Sequence, residues 1–156
     1  MVYFCTPMRR IDDELQSRFE SEQHKAMLNV LFTANWLKSQ QTTVIRPYGI
    51  SPQQYNILRI LRGAGSPMNM RTVKDRMVER APNATRLTDK LIAKDLVERT
   101  RCSEDRRVVF VRITAKGLDL LAEMERAIRT MYEHMMHPLC EADARELNRL
   151  LDICRN

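Results

Sequence analysis

Residues 83–117 read NATRLTDKLIAKDLVERTRCSEDRRVVFVRITAKG, and three signals in this stretch decide the fold. Leu87 and Leu91 recur at helical spacing while Asn83, Thr85, Arg86 and Lys90 fall on the other faces, which predicts a helix from about Pro82 to Lys94. LVERTRC and VVFVRIT then predict two strands, because β-branched residues suit a pleated, half-buried surface, with SEDRR between them as a hairpin tip. Thr114 stands where a hydroxyl caps a following helix, whose inward face is Leu121, Met124, Ile128, Met131 and Met135.

Working outward, Asn69 is placed to cap a short helix through about Val78, with Val73 and Met77 turned inward. The tight connection VERAP joins it to the 82–94 helix, and two short helices about such a turn form a helix-turn-helix. Before them, GISPQQYNILRILRGAG carries Ser51 as N-cap, Pro52 at the first helical position and Gln54 three after Ser51, a capping box. Tyr55, Leu58 and Leu61 supply its buried face, with Ile57 beside them, and Arg59 and Arg62 stay in solvent.

At the start, Ile11 to Ile45 reads as one long helix. Met27, Val30, Leu31, Ala34 and Leu37 form one apolar row, and Leu28, Phe32 and Trp36 form another. A helix apolar on so much of its circumference is buried on more than one side, which in a small protein points to a partner subunit. Past Pro138 a last helix places Leu147, Leu150, Leu151 and Cys154 on one face.

Composition sets the bounds. The chain of 156 residues is 44% hydrophobic and 29% charged, as expected of one globular domain with a real core. It holds no apolar run near the roughly 20 residues of a membrane span, and its start does not read as a signal peptide, so a cytoplasmic location without membrane contact is expected. Cys5, Cys102, Cys140 and Cys154 are scattered without a C-x-x-C pair, against a zinc finger or a disulfide framework. His134, His137 and Cys140 are competent metal ligands, but Pro138 interrupts the helix that would align them; no metal or cofactor is expected. No H-E-x-x-H, nucleophile elbow or phosphate-binding glycine loop suggests an enzyme.

Of the net charge of +6, a surplus of +5 lies between Arg71 and Arg112, where 12 Lys and Arg face 7 Asp and Glu. Such a window suits a polyanion. The order helix, helix, short helix, turn, short helix, hairpin is a winged helix-turn-helix, so the class is mainly α with a small β-hairpin wing. A helix fits the major groove of duplex DNA, where base edges are distinguishable, and an arginine-tipped hairpin suits the minor groove.

The wing makes a resemblance specific. Asp105, Arg107, Ile113, Thr114 and Gly117 match D-x-R, five residues, Leu-Thr, two residues, Gly, the wing signature of the multiple antibiotic resistance regulator (MarR) family, with Ile113 replacing leucine. SPQQYNILRIL resembles the family's second helix, and NATRLTDKLIAKDLVER its recognition helix and first wing strand. The resemblance covers roughly residues 20–152. Asp95 stands where the family usually has glycine, and aspartate tolerates a left-handed turn better than most residues.

The resemblance implies a homodimer on a roughly palindromic site. Its DNA-binding part would be residues 50–113, and its helical dimerisation parts, at the two ends of the chain, residues 11–46 and 114–154. It implies a repressor released by a small, often aromatic ligand or by cysteine oxidation. Asn83, Thr85, Arg86 and Lys90 would meet bases or phosphates, Arg107 the minor groove or a phosphate, and Arg106 a phosphate, while Asp105 would brace the wing arginine. Trp36, Tyr48 and Tyr55 would line the effector pocket. Two alternatives stand beside this reading: redox sensing through Cys5, and a non-catalytic protein-interaction module on a winged fold.

Overall fold

The computed structural model describes residues 10–16, 18–79, 83–101 and 109–156. Among the described residues, seven α-helices and three strands follow one another: α1 (Ile11–Leu15), α2 (Glu22–Ile45), α3 (Pro52–Ala64), β1 (Met68–Asn69), α4 (Met70–Asp75), α5 (Ala84–Ile92), β2 (Val97–Arg101), β3 (Val109–Ile113), α6 (Ala115–Met136) and α7 (Glu141–Ile153). The chain divides into two compact units, residues 1–39 and 40–156. No helix of the described residues is long and apolar enough to cross a membrane.

In the first unit the continuous helix expected from Ile11 is interrupted. Gln16 ends α1 in the left-handed region at φ 46°. The Ser21 hydroxyl accepts the His24 N–H at 3.1 Å and starts α2 afresh. Serine offers the backbone an alternative to helix continuation, and that local bond overrides the apolar periodicity. Across the break, the Lys25 ammonium donates to the Asp12 carboxylate at 2.6 Å. That bond holds the Asp12 carboxyl below its ordinary range. Along α2, Met27, Val30, Leu31, Phe32 and Trp36 are all exposed.

The second unit holds the winged element. α3 begins as the capping box requires: the Ser51 hydroxyl accepts the Gln54 N–H at 3.2 Å and the Gln54 side chain accepts the Ser51 N–H at 3.0 Å. Ile57, Leu58 and Leu61 of α3 are buried with Val73 of α4, Leu91 of α5, Val97, Val111, and Leu121 and Met124 of α6. Removing one such leucine typically costs about 2–5 kcal/mol, so this layer sets the stability of the unit. All five apolar positions expected on the inward face of α6, from Leu121 to Met135, are buried.

The strands form one antiparallel sheet in the order β1-β3-β2. β2 pairs β3 from Val97↔Ile113 to Arg101↔Val109, as the hairpin reading expects. The two-residue β1, pairing Met68 with Val111, is an addition. It is too short to show an alternating pattern, and its second residue, Asn69, is also the N-cap of α4.

Two backbone features join the sheet to its neighbours. Asp95 turns the chain from α5 into β2 at φ 59°, the left-handed conformation that aspartate was expected to tolerate. Gly117, in the first turn of α6, lies so close to the sheet that a Cβ there would stand 2.3 Å from the Leu96 carbonyl oxygen. That position of the wing signature is glycine because backbone occupies the space a side chain would need.

Candidate nucleic-acid interface

α5 separates its two faces cleanly. Ala84, Leu87, Thr88 and Leu91 are buried. Thr88 is satisfied internally, its hydroxyl donating to the Ala84 carbonyl at 2.9 Å. On the opposite side Asn83, Thr85, Arg86, Asp89 and Lys90 are exposed. Asn83 occupies the N-cap position, yet its side chain makes no capping bond among the described residues. The four residues expected to read DNA are therefore brought together on one helical face, with Asp89 among them.

That helix is held from several directions. The Gln54 amide, buried at the start of α3, donates to the Leu87 carbonyl at 3.4 Å. Beyond the C-terminal end of α5, the Lys94 ammonium donates to the Gly49 carbonyl. The Thr114 hydroxyl donates to the Asp95 carbonyl at 2.7 Å while accepting the Gly117 N–H at 3.1 Å, so one threonine caps α6 and fastens the turn after α5. Asn69 caps α4 in the same manner, accepting from the Thr72 N–H at 2.8 Å. Arg71 and Lys74 on α4 are exposed and add positive charge near the helix-turn-helix.

Asp105, Arg106 and Arg107, expected at the wing tip, lie outside the described residues, as does Cys5. The described ladder closes on the Arg101↔Val109 pair, so 102–108 span the interval where the tip was expected. Two ion pairs on the wing were not anticipated. Arg112 reaches Glu98 through its Nε at 2.6 Å, and Arg99 reaches Asp89 of α5 at 2.5 Å. A charged residue two positions after inward-facing Val97 was the available sign of the second.

The three aromatic residues assigned to an effector pocket have different surroundings. Trp36 is exposed on α2 in the first unit. In the second, Tyr48 is half-buried in a short 3-10 turn, Arg46–Tyr48. Tyr55 is half-buried on α3, its ring 5.8 Å from the Arg59 guanidinium. Burial pushes the Tyr55 phenol above its ordinary value, Arg59 opposing and Tyr132 adding to the shift. A shallow groove of about 460 Å³ is lined by Thr42, Thr43, Arg46 and Pro47. No group of three or more potential metal ligands gathers among the described residues; His134 closes the last turn of α6, and Cys140 caps α7.

Comparison with known proteins places this arrangement. The MarR family model matches residues 50–109, from the turn before α3 to the wing. The crystal structure of a MarR transcription factor from Planctomyces limnophilus is 36% identical, covers 87% of this chain and 99% of its own, and superposes with a TM-score of 0.68. A MarR mutant from E. coli, crystallised with operator DNA, shares the fold at 19% identity and a TM-score of 0.77 over 88% of this chain and 99% of its own. An organohalide-sensing regulator in its 2,4-dichlorophenol-bound form shares it at 18% identity and a TM-score of 0.79, over 100% of this chain and 88% of its own. With the family model on the helix-turn-helix and wing, and 36% identity to a MarR factor over nearly that factor's whole length, the chain belongs to the MarR family of DNA-binding transcriptional regulators.

Proposed function

We propose that this regulator is a homodimeric repressor that binds a roughly palindromic duplex site and is released by a small aromatic ligand. The observation that carries the DNA contact is the polar exposed face of α5, where Asn83, Thr85, Arg86 and Lys90 stand opposite a buried face of Ala84, Leu87, Leu91 and the internally bonded Thr88. Arginine and lysine favour guanine edges and asparagine favours adenine, so this face has the chemistry for direct readout in the major groove. Arg106 and Arg107 add phosphate or minor-groove contact from the wing, with Asp105 bracing Arg107.

Support for the dimer comes from apolar side chains left open on a single chain. Met27, Val30, Leu31 and Phe32 on α2 are exposed, and so are Leu147, Leu150 and Ile153 on α7. Exposed apolar groups in such numbers mark an interaction surface. The effector reading rests on the phenol-bound relative and on Trp36, Tyr48 and Tyr55, which offer faces for stacking.

Selection of bound sites from random duplexes, followed by fluorescence anisotropy, tests the proposal. A palindrome should be recovered, and Arg86→Ala should weaken binding and reduce the slope of log K against log salt by about 0.9 for one lost phosphate contact. If Arg86 reads a base instead, affinity should fall by about 1–3 kcal/mol with specificity relaxed at one position. Failure to enrich any sequence would refute the operator-binding reading and favour a protein-interaction module. Light scattering that gives a monomer would refute the dimer, and phenolic compounds that leave a recovered site bound would refute the effector.

A further inference from the structure

Strand β2 alternates in a way that isolates Arg99. Val97 pairs with Ile113 and Arg99 with Val111, and residues opposite one another in a sheet share a face. Val97 and Val111 are fully buried, so Arg99 lies on the side of the sheet that packs against the helices. An apolar residue would ordinarily stand there. The arginine instead reaches across to α5 and ion-pairs with Asp89 at 2.5 Å, with both side chains about half exposed. On the opposite face, the Glu98–Arg112 pair stays within the sheet.

Asp89 is the only carboxylate on the exposed face of α5, three residues after Arg86 and one before Lys90. A free carboxylate there would repel phosphate and compete for the neighbouring cations. Arg99 neutralises it and ties the middle of the helix to the wing, whereas the Lys94 and Thr114 bonds secure only the chain beyond its C-terminal end. We propose that Arg99 is a positioning residue: it acts through Asp89 to set the orientation of the recognition helix relative to the wing, without contacting DNA itself. The inference rests on the DNA-binding reading of α5.

The test is a double-mutant cycle on a selected duplex with wild type, Arg99→Ala, Asp89→Ala and the double variant. Arg99→Ala should weaken binding by about 5-fold, the upper range for an exposed ion pair. The same substitution in the Asp89→Ala background should change affinity by less than about 2-fold, the signature of coupling. The salt slope should not change, and Arg99→Lys should restore most of the affinity. A similar loss in both backgrounds with the slope reduced by about 0.9 would identify Arg99 as a direct phosphate contact and overturn the proposal. So would an Arg99→Ala variant that binds as tightly as wild type.

Should wild type bind no duplex, the DNA reading fails and hydrogen exchange of the free protein decides the strap. Arg99→Ala should then speed exchange of the α5 amides by up to about 5-fold while Arg112→Ala leaves them unchanged. Equal rates in the two variants would overturn it.

Discussion

Replacing Gly117 by alanine tests how the wing is seated on α6. The added Cβ would lie 2.3 Å from the Leu96 carbonyl oxygen and 2.7 Å from Ile113 Cγ1, whereas carbon and oxygen atoms that pack without strain stand about 3.3 Å apart or more. The isoleucine can rotate away. The carbonyl cannot move as freely, because it accepts the Thr114 N–H at 3.2 Å at the start of α6. Overpacking of this kind costs about 1–3 kcal/mol, and alanine returns up to about 1 kcal/mol of helix propensity. Because the atom met is backbone, the upper part of that range applies, about 2–3 kcal/mol. The net expectation is a loss of about 1–3 kcal/mol, or roughly 2–12 °C in Tm for a chain of this size. Gly63, near the C-terminal end of α3, provides the control, since a Cβ there meets nothing within 4 Å. Gly63→Ala should be neutral or stabilising by up to about 1 kcal/mol. Urea unfolding of the three proteins followed by circular dichroism measures both differences. A Gly117→Ala variant as stable as wild type would refute the claim that backbone proximity dictates this glycine.

Ser51→Ala breaks one half of the α3 capping box and loosens Gln54, and should cost about 1 kcal/mol by the same urea measurement. Tyr55 gives a pH signature. Its phenol is raised in the folded state, so its stabilising contribution is complete below the ordinary tyrosine value of about 10 and is lost as pH rises through the folded value. Tyr55→Phe should therefore flatten the alkaline limb of the stability profile while leaving pH 6–8 behaviour close to wild type; an unchanged alkaline limb would show that the phenol's burial has no such effect.

Local chemistry accounts for what was legible in the chain. Ser51, Asn69 and Thr114 each cap the helix they were expected to cap, because a cap needs only a short polar side chain within three residues of an N–H it can reach. The five inward residues of α6 follow one helical stripe, and two β-branched runs around a polar tip pair as β2 and β3. Asp95 takes the left-handed turn that its short side chain permits. The exposed candidates of α5 share a face because helical spacing puts them there. Where local signals competed, periodicity misled. Ser21 and Gln16 break a helix that the apolar rows of residues 11–45 would continue.

The sequence by itself determined the order of elements from α3 onward apart from β1, the inward and outward faces of α5 and α6, and the family signature around the wing, all of which depend on neighbours within a few positions. Only the tertiary structure decided that Met68–Asn69 joins the sheet as a third strand, that Gln54 reaches the Leu87 carbonyl 33 residues away, and that Arg99 pairs with Asp89. Each of these depends on distances between segments that close only when the core packs. The same holds for Gly117: its place in a motif was readable, but the reason for it is a carbonyl oxygen 21 residues earlier, brought to 2.3 Å from an absent Cβ by the packing of α6 on the sheet.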